Sequence, residues 1–391
     1  MIDNHGSIPI KVFLVAGEPS GDVLASRLMI GLRNQANGCE ISFTGVGGPL
    51  MEAEGLISLF PMDELSIMGI AEVVPKIPSL LKRINQTAQA ATETNPDLFI
   101  TVDAPDFSFR VAKKLDNVTF KKVHYVAPSV WAWRKGRAKK IARLYDHLLT
   151  LLPFEPPYFE VEGLPASFIG HSIIESGAGQ GNAVQFKEKY LIGDADNNLM
   201  ILPGSRRGEV TRHLEVFGEA VKRVSEKVDN LNVVIPVIGK TKPLVEDAVK
   251  HWAAKIIIVE GTEDKYDAMA ASDVAMAASG TVGLELGLSH LPSVIAYKMH
   301  PITAYLARKL VKLKYANLIN ILEDEEIVPE HLLENCTADN LSKSIIELFV
   351  DSNERSKQIA GYDRAIALLG VGAEAPGDRA AKVVLDLVGR L

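Results

Sequence analysis

Residues 198–209 read Asn-Leu-Met-Ile-Leu-Pro-Gly-Ser-Arg-Arg-Gly-Glu. A short apolar run stops at a proline-glycine turn, and Arg212–Val228 follows with helical spacing. A continuous apolar run of this length, bounded by turn residues, reads as a strand buried on both faces, as in a parallel sheet. The same order occurs earlier, with the apolar run Ile10–Ala16, a glycine loop, and the helical segment Asp22–Asn34. Outward from these two openings, further strands read at Ile41–Phe43, Leu98–Val102, Lys122–Ala127, Leu148–Leu152 and Ser167–Ile169. A second series follows at Asn232–Val237, Ile256–Val259, Val274–Ala277 and Ser293–Tyr297. Strands alternating with helices predict parallel sheets flanked by helices. Two series predict an α/β chain of two doubly wound, Rossmann-like domains facing across a cleft, with ligands at the carboxyl ends of the strands. The expected domains are 1–175 and 190–350, with a linker inside Gly170–Asn197. Terminal helices at 351–391 are expected to cross back to the first domain by analogy of fold.

Composition narrows the function classes. The 391 residues carry a net charge of −7, which argues against a protein devoted to nucleic acid, whose surface is broadly basic. Cys39 and Cys336 lie far apart and form no CxxC pair, so neither a disulfide framework nor a zinc site is expected. The run Pro9–Val15 is too short for a signal-peptide core and reads as a strand. No stretch approaches the roughly 18 apolar residues of a membrane-spanning helix. No P-loop and no HExxH is present.

Four loops carry candidate chemistry. Gly17-Glu18-Pro19-Ser20-Gly21-Asp22 lies between strand and helix. Its glycines permit a tight turn and Ser20 is placed to cap the helix. Its carboxylates suit sugar hydroxyls or a catalytic duty better than phosphate, although Asp22 also fits as a first-turn acid. Asp103-Ala104-Pro105-Asp106 follows the strand Leu98–Val102. Either carboxylate suits a general base; the plainer reading is an Asx turn with Asp106 as helix cap. Pro203–Glu209 sets Arg206 and Arg207 at a helix N-terminus, a favourable place for a diphosphate, or else a solvated basic turn. Ser279-Gly280-Thr281 opens another helix, and Glu285 lies one turn in, where a carboxylate accepts ribose hydroxyls. A plain helix start is the alternative.

Two stretches read as a lipid-facing surface or, equally, as core and solvated faces. Leu65–Lys82 holds Ile67, Met68, Ile70, Val73, Val74, Ile77, Leu80 and Leu81 beside Lys76 and Arg83. Arg134–Arg143 is basic and follows Trp131 and Trp133. Aromatic and cationic residues together favour an anionic interface.

Taken together, Val15–Asp22, Gly45–Met51, Leu65–Glu72, Asp97–Phe107, Leu152–Glu155, Phe168–His171, Leu202–Glu209, Ser279–Glu285 and Tyr315–Asn320 resemble the lipid-A-disaccharide synthase family. The most specific run is Tyr125-Val-Ala-Pro-Ser-Val-Trp-Ala-Trp-Arg134. The resemblance spans nearly the whole chain. It implies an inverting glycosyltransferase of the GT-B type that uses no metal and no cofactor. It implies transfer from UDP-2,3-diacylglucosamine to the 6-hydroxyl of lipid X, 2,3-diacylglucosamine 1-phosphate, giving a β-1,6 disaccharide and UDP. It further implies a cytoplasmic protein held peripherally at the inner membrane, with Leu65–Leu81 meeting acyl chains. Glu18, Ser20 and Asp97 match family positions on the acceptor side, and Asn320 matches an asparagine near the nucleotide. Asp106 is the first choice for the base and Asp103 the second. Arg206, Ser279, Gly280, Thr281 and Glu285 are expected to hold UDP. Two positions depart from the family pattern: Pro19 stands where alanine is common, and Ile319 where proline often precedes the asparagine. A UDP-sugar 2-epimerase shares the fold but needs no acyl surface, and a nucleotide-sugar sensor needs no paired carboxylates. A homodimer through the apolar segment Ala304–Leu313 is a further expectation.

Overall fold

The computed structural model describes residues 9–36, 38–65, 70–132, 136–299 and 313–390, with backbone alone for 70–75. The chain divides into two compact units, Met1–Ser172 with Gly372–Leu391, and Ile173–Val371. The first holds β1 Ile10–Ala16, β2 Ile41–Val46, β3 Ile57–Ser58, β4 Leu98–Val102, β5 Lys121–Tyr125, β6 His147–Thr150 and β7 Ala166–Phe168. They form one seven-stranded sheet in the order β3-β2-β1-β4-β5-β6-β7. The second holds β8 Asn197–Leu202, β9 Leu231–Val237, β10 Lys255–Glu260, β11 Val274–Ala278, β12 Ser293–Tyr297 and β13 Glu330–Leu332. Their order is β10-β9-β8-β11-β12-β13. Every strand pairing among the described residues is parallel. The order reverses between β1 and β4 and again between β8 and β11, the points where doubly wound sheets open a crevice at their carboxyl ends.

The strands β4 and β11 are buried along their whole length, which is why their sequences run apolar without alternation. The edge strands β3 and β13, Ile-Ser and Glu-His-Leu, carry no such run and escape a reading by hydrophobicity. The helix Arg207–Ser225 begins five residues before the periodic segment that announced it, because its first turn is the solvent-facing end of the arginine loop.

The tail divides its helices between the units. Pro376–Asp386 packs along Pro19–Gln35 through two glycines. A Cβ on Gly31 would lie 2.5 Å from the Gly377 carbonyl oxygen, and one on Gly377 2.7 Å from that of Arg27. The helix Ser352–Ala367 does not return, contrary to expectation. It is fastened to β12 of the second unit: Tyr362 is fully buried with its hydroxyl 2.8 Å from Ser293 Oγ, and Gln358 Nε2 donates to the Ser293 carbonyl at 3.1 Å.

In the first unit, Thr101 on β4 lies in register with His124 on β5. Thr101 Oγ1 is 2.7 Å from His124 Nδ1 and 2.9 Å from the Tyr145 hydroxyl. His124 Nε2 is buried with no hydrogen-bond partner among the described residues. Desolvation pushes its pKa down from 6.5 to about 3, so the folded chain keeps it neutral. The unfolded chain takes up that proton between the two values, so stability falls as pH drops below 6.5. His171, held down to about 4, adds in the same direction, whereas Glu155, pushed up to about 7, acts oppositely between its two values. His124→Gln is expected to flatten the acid limb of a urea-unfolding series by up to about 1.4 kcal/mol per pH unit. An unchanged slope between pH 6 and 4 would show that His124 is not the group being titrated.

Candidate functional site

At the carboxyl edge of the first sheet, the loop after β1 leads into Pro19–Gln35 with Pro19 in the first helical position. Glu18 occupies the cap position in extended conformation, and no side chain caps this helix. Ser20 therefore sits inside the first turn rather than capping it. Its hydroxyl lies 3.5 Å from Asp103 Oδ2, a long contact that nonetheless brings the first and second predicted loops together. Gly17 makes this approach possible, since a Cβ there would lie 2.8 Å from the Ala104 Cβ.

Asp22 has a different duty from the one its loop suggests. It is 3% exposed. Its Oδ1 accepts the Gly48 and Met51 N–H groups and its Oδ2 the Leu50 N–H, each at 3.0 Å. The carboxylate thus closes the open N-terminus of the short helix Pro49–Ala53, a capping role supplied from a distant segment.

The second loop is strained. Asp103 has φ +52 and Ala104 φ +44, two adjacent left-handed residues, neither of them glycine. The turn is held by Asp103 N–H donating to the Tyr125 carbonyl at 2.9 Å and by Ser108 Oγ donating to the Asp103 carbonyl at 2.8 Å. Ala104, not Asp106, is the cap residue of Pro105–Lys114. Asp103 is half-buried; Asp106 is exposed in the first turn, with no hydrogen bond or ion pair among the described residues. Asp97 stands at the opposite edge of the sheet. It precedes β4, and its Oδ2 accepts the Lys11 N–H at 2.8 Å at the start of β1. Six residues of extended chain set it roughly 20 Å from Asp103, which removes it from this site.

The second unit has a cavity of about 580 Å³ at the carboxyl ends of β8, β9, β10 and β11, lined among others by Gly204, Ser205, Lys265, Gly280, Thr281 and Glu285. Gly204 turns the chain at φ +112, where a Cβ would press against Glu209 at 3.0 Å. Arg206 takes the cap position of Arg207–Ser225 and is largely exposed; its Nη1 is 3.2 Å from Glu209 Oε1. Ser279 lines the cavity, and its Oγ donates to the Ala316 carbonyl at 3.3 Å. Thr281 occupies the N-cap position of the short helix Val282–Leu288, without a capping hydrogen bond from its side chain. Glu285 is 2.6 Å from Lys265 Nζ and 3.2 Å from the Tyr266 hydroxyl. These five predicted residues, Arg206, Ser279, Gly280, Thr281 and Glu285, therefore fall at one edge of one sheet.

Asn320 does not join them. It is fully buried, its Nδ2 donates to the Val328 carbonyl and to Glu330 Oε1 at 2.8 Å, and its Oδ1 accepts the Ile327 and Val328 N–H groups at 2.9 Å. With every polar valence used inside the fold, it has nothing to offer a nucleotide. Two residues that sequence reasoning passed over do support the loops. His213 Nδ1 donates to the Pro203 carbonyl at 2.9 Å and Nε2 accepts the Lys298 N–H at 3.0 Å, and burial lowers its pKa. It pins the glycine turn to the end of β12. Glu155 is the other: its Oε2 accepts the Leu151 and Leu152 N–H groups. The signal for both was weak, a single polar residue within an apolar pattern.

Among the described residues no helix is long and apolar enough to cross a membrane. Ile77 and Leu81 are exposed at 44% and 46% on the helix Ile70–Thr94, one turn apart, with Lys76 and Lys82 exposed beside them. Residues 66–69 and the side chains of 70–75, Trp133, Arg134 and Lys135, and 304–312 of the expected pairing segment lie outside the described residues.

A family profile described as Lipid-A-disaccharide synthetase matches residues 12–383. A lipid-A-disaccharide synthase of Rhodospirillum centenum is 47% identical over 97% of this chain and 95% of its own. One of Paramagnetospirillum magneticum is 44% identical over 96% and 97%. Among solved structures, an S. aureus MnaA–UDP co-structure is similar with a TM-score of 0.65 at 12% identity, covering 97% of this chain and 96% of that one. MurG of Acinetobacter baumannii is similar at 0.56 and 15%, covering 98% and 100%. These likenesses place the fold among the GT-B glycosyltransferases and epimerases.

Replacing Asp22 by alanine leaves three buried N–H groups without an acceptor and is expected to lower the unfolding free energy by about 2–3 kcal/mol. Urea denaturation of Asp22→Ala showing wild-type stability would return Asp22 to the pool of ligand-facing carboxylates.

Proposed function

The chain belongs to the lipid-A-disaccharide synthetase family, and on that premise we propose that it transfers 2,3-diacylglucosamine from UDP to the 6-hydroxyl of lipid X with inversion. The second unit takes the nucleotide sugar. Its cavity offers a glycine turn and a helix start for the diphosphate and the Glu285 carboxylate for the ribose. Arg206 supplies the mobile charge: itself exposed and, among the described residues, paired with Glu209 alone, it exchanges that partner for a phosphate oxygen.

The first unit supplies the base. Asp103 suits this role better than Asp106, the first expectation from sequence. The observation that carries the choice is the strained Asp103-Ala104 turn, which sets a half-buried carboxylate beside Ser20. Strain of this kind persists where the surrounding structure enforces a functional geometry. Asp106 has the exposure and placement of an ordinary first-turn acid. The base takes the hydroxyl proton, the acceptor oxygen forms its bond to the anomeric carbon, and the bond from that carbon to the diphosphate oxygen breaks on the opposite side. The electron pair leaves on UDP, where fixed positive charge and amide dipoles stabilise it. Glu18 and Ser20 orient the acceptor. The exposed Ile77 and Leu81, flanked by lysines, fit peripheral attachment to the cytoplasmic side of the inner membrane. Pairing through Ala304–Leu313 would complete a homodimer.

The fold likeness also admits a UDP-sugar 2-epimerase, and product release separates the two. UDP released only when UDP-2,3-diacylglucosamine and lipid X are both present, with a disaccharide phosphate formed, is the expected result; UDP released from donor alone would sink the transferase reading. Asp103→Asn is expected to lower kcat by roughly 10²–10⁴-fold while leaving donor binding within twofold, and Asp106→Asn to stay near wild type. The reverse ranking would reinstate Asp106. Arg206→Ala is expected to weaken UDP binding roughly ten- to a hundredfold by calorimetry; unchanged affinity would exclude Arg206 from the diphosphate site.

A further inference from the structure

Beside the Asp103 turn, β5 is followed directly by a further strained residue. Val126 has φ +81, a conformation that a β-branched side chain rarely adopts. It is held by donating its N–H to the Leu149 carbonyl at 3.1 Å, one residue after the Tyr125 carbonyl that fixes Asp103. The two strained turns thus share one hydrogen-bonded corner at the ends of β4, β5 and β6. From Val126 the chain runs through Pro128 to Trp131, and there it is fastened from below. Trp131 Nε1 donates to Glu155 Oε1 at 3.1 Å, and Glu155 Oε2 accepts the Leu151 and Leu152 N–H groups at 3.2 and 3.1 Å. The Trp131 ring meets Phe154 edge-on at 5.2 Å.

Glu155 is 3% exposed, and desolvation pushes its pKa up. All three of its partners are neutral N–H donors, and no cationic side chain is bonded to it among the described residues. A buried carboxylate without a counter-charge is costly. What it offers is acceptor capacity on both oxygens at once. Glutamine has one acceptor oxygen, so its amide would turn N–H toward either the indole or the two backbone donors. The arrangement ties the β5 loop to the β6 loop through one side chain.

We infer that Glu155 is a positioning residue for the glycosyl acceptor: through Trp131 it holds the Val126–Trp131 loop against the Asp103 turn, so that the loop walls the place where the acceptor hydroxyl is deprotonated. This rests on the acceptor side lying in the first unit. The test is a double-mutant cycle of Glu155→Gln, Trp131→Phe and both together, assayed with UDP-2,3-diacylglucosamine and lipid X in detergent micelles. Trp131→Phe keeps an aromatic ring beside Phe154 and removes the N–H donor together with part of the ring's bulk, so it serves even if Glu155→Gln folds poorly. Each single variant is expected to raise the acceptor KM about tenfold, the worth of one buried hydrogen bond, with donor KM and UDP affinity unchanged. The double variant is expected to be no worse than the poorer single one. Without substrate, the tryptophan emission of Glu155→Gln is expected to shift to the red, and to show no such shift when Trp131 is already phenylalanine.

Additive losses, or equal losses in donor and acceptor terms, would overturn the inference and reduce the contact to general stability. Unshifted emission in Glu155→Gln would overturn it whatever the kinetics. Absence of transfer by the wild-type protein, with the emission shift present, would instead remove the proposed function and with it the acceptor role, while leaving the Glu155–Trp131 tether in place as a structural feature.

Discussion

A parallel sheet with helices on both faces has no free face on which to build a site. The strands β4 and β11 are buried from end to end, and their backbone groups are spent on neighbouring strands. Polar side chains that are to meet a ligand must therefore come from the loops at the strand ends. Both units obey this constraint. In the first, the loops after β1, β4, β5 and β6 converge; in the second, those after β8, β9, β10 and β11 do. Everything chemical in the chain is a consequence of which loop residues the sheet order brings together at those edges.

This is also why so much of the fold was readable in the residues. Continuous apolar runs such as Ile10–Ala16 and Ser293–Tyr297 mark central strands because such strands are buried on both sides. The glycine loops after Ile10–Ala16 and Asn197–Leu202 mark the carboxyl edges of the two sheets. What the sequence could not convey was any strand too short or too exposed to have a run, as with Ile57–Ser58 and Glu330–Leu332. Nor could it show that the tail would part company with itself. Gln358 and Tyr362 fasten one helix to Ser293, while Gly377 carries the next onto Gly31. Those destinations are set by single polar contacts and by close backbone approach, and neither leaves a periodic trace.

The candidate site divides along the same line. A residue's position just after a strand was legible, and it brought Ser20 to Asp103 and Glu285 to the cavity. Its hydrogen-bond partners were not. Asp22, Asp97 and Asn320 have the residue types of a sugar-nucleotide site and lie near or within plausible motifs. Yet each accepts from backbone N–H groups: Asp22 from Gly48, Leu50 and Met51, Asp97 from Lys11, and Asn320 from Ile327 and Val328. In a fold with many buried loop ends, unsatisfied amides cost more than most other defects. Side chains with two acceptor sites are recruited to meet that need first. Asp97 adds a simpler lesson, since a strand has two ends and a motif that spans it reaches both.

The two units also hold their functional groups ready in different ways. The first stores the cost in backbone conformation, at Asp103, Ala104 and Val126, none of them glycine, so the geometry survives only because Tyr125, Leu149 and Ser108 over-determine it. The second stores it in charge. Arg206, beside the cavity, is paired with Glu209, and Lys265, which lines it, with Glu285, so an anion bound there would compete with an intramolecular partner for each. In the first pair the guanidinium is exposed although Glu209 is largely buried, and water weakens such a solvent-facing contact. The half-buried second pair is firmer, and it is further held by Tyr266. A rigid base and exchangeable cations are what the proposed single displacement asks for: the attacking oxygen would need one fixed line of approach, whereas the leaving diphosphate would first have to be gripped and then let go.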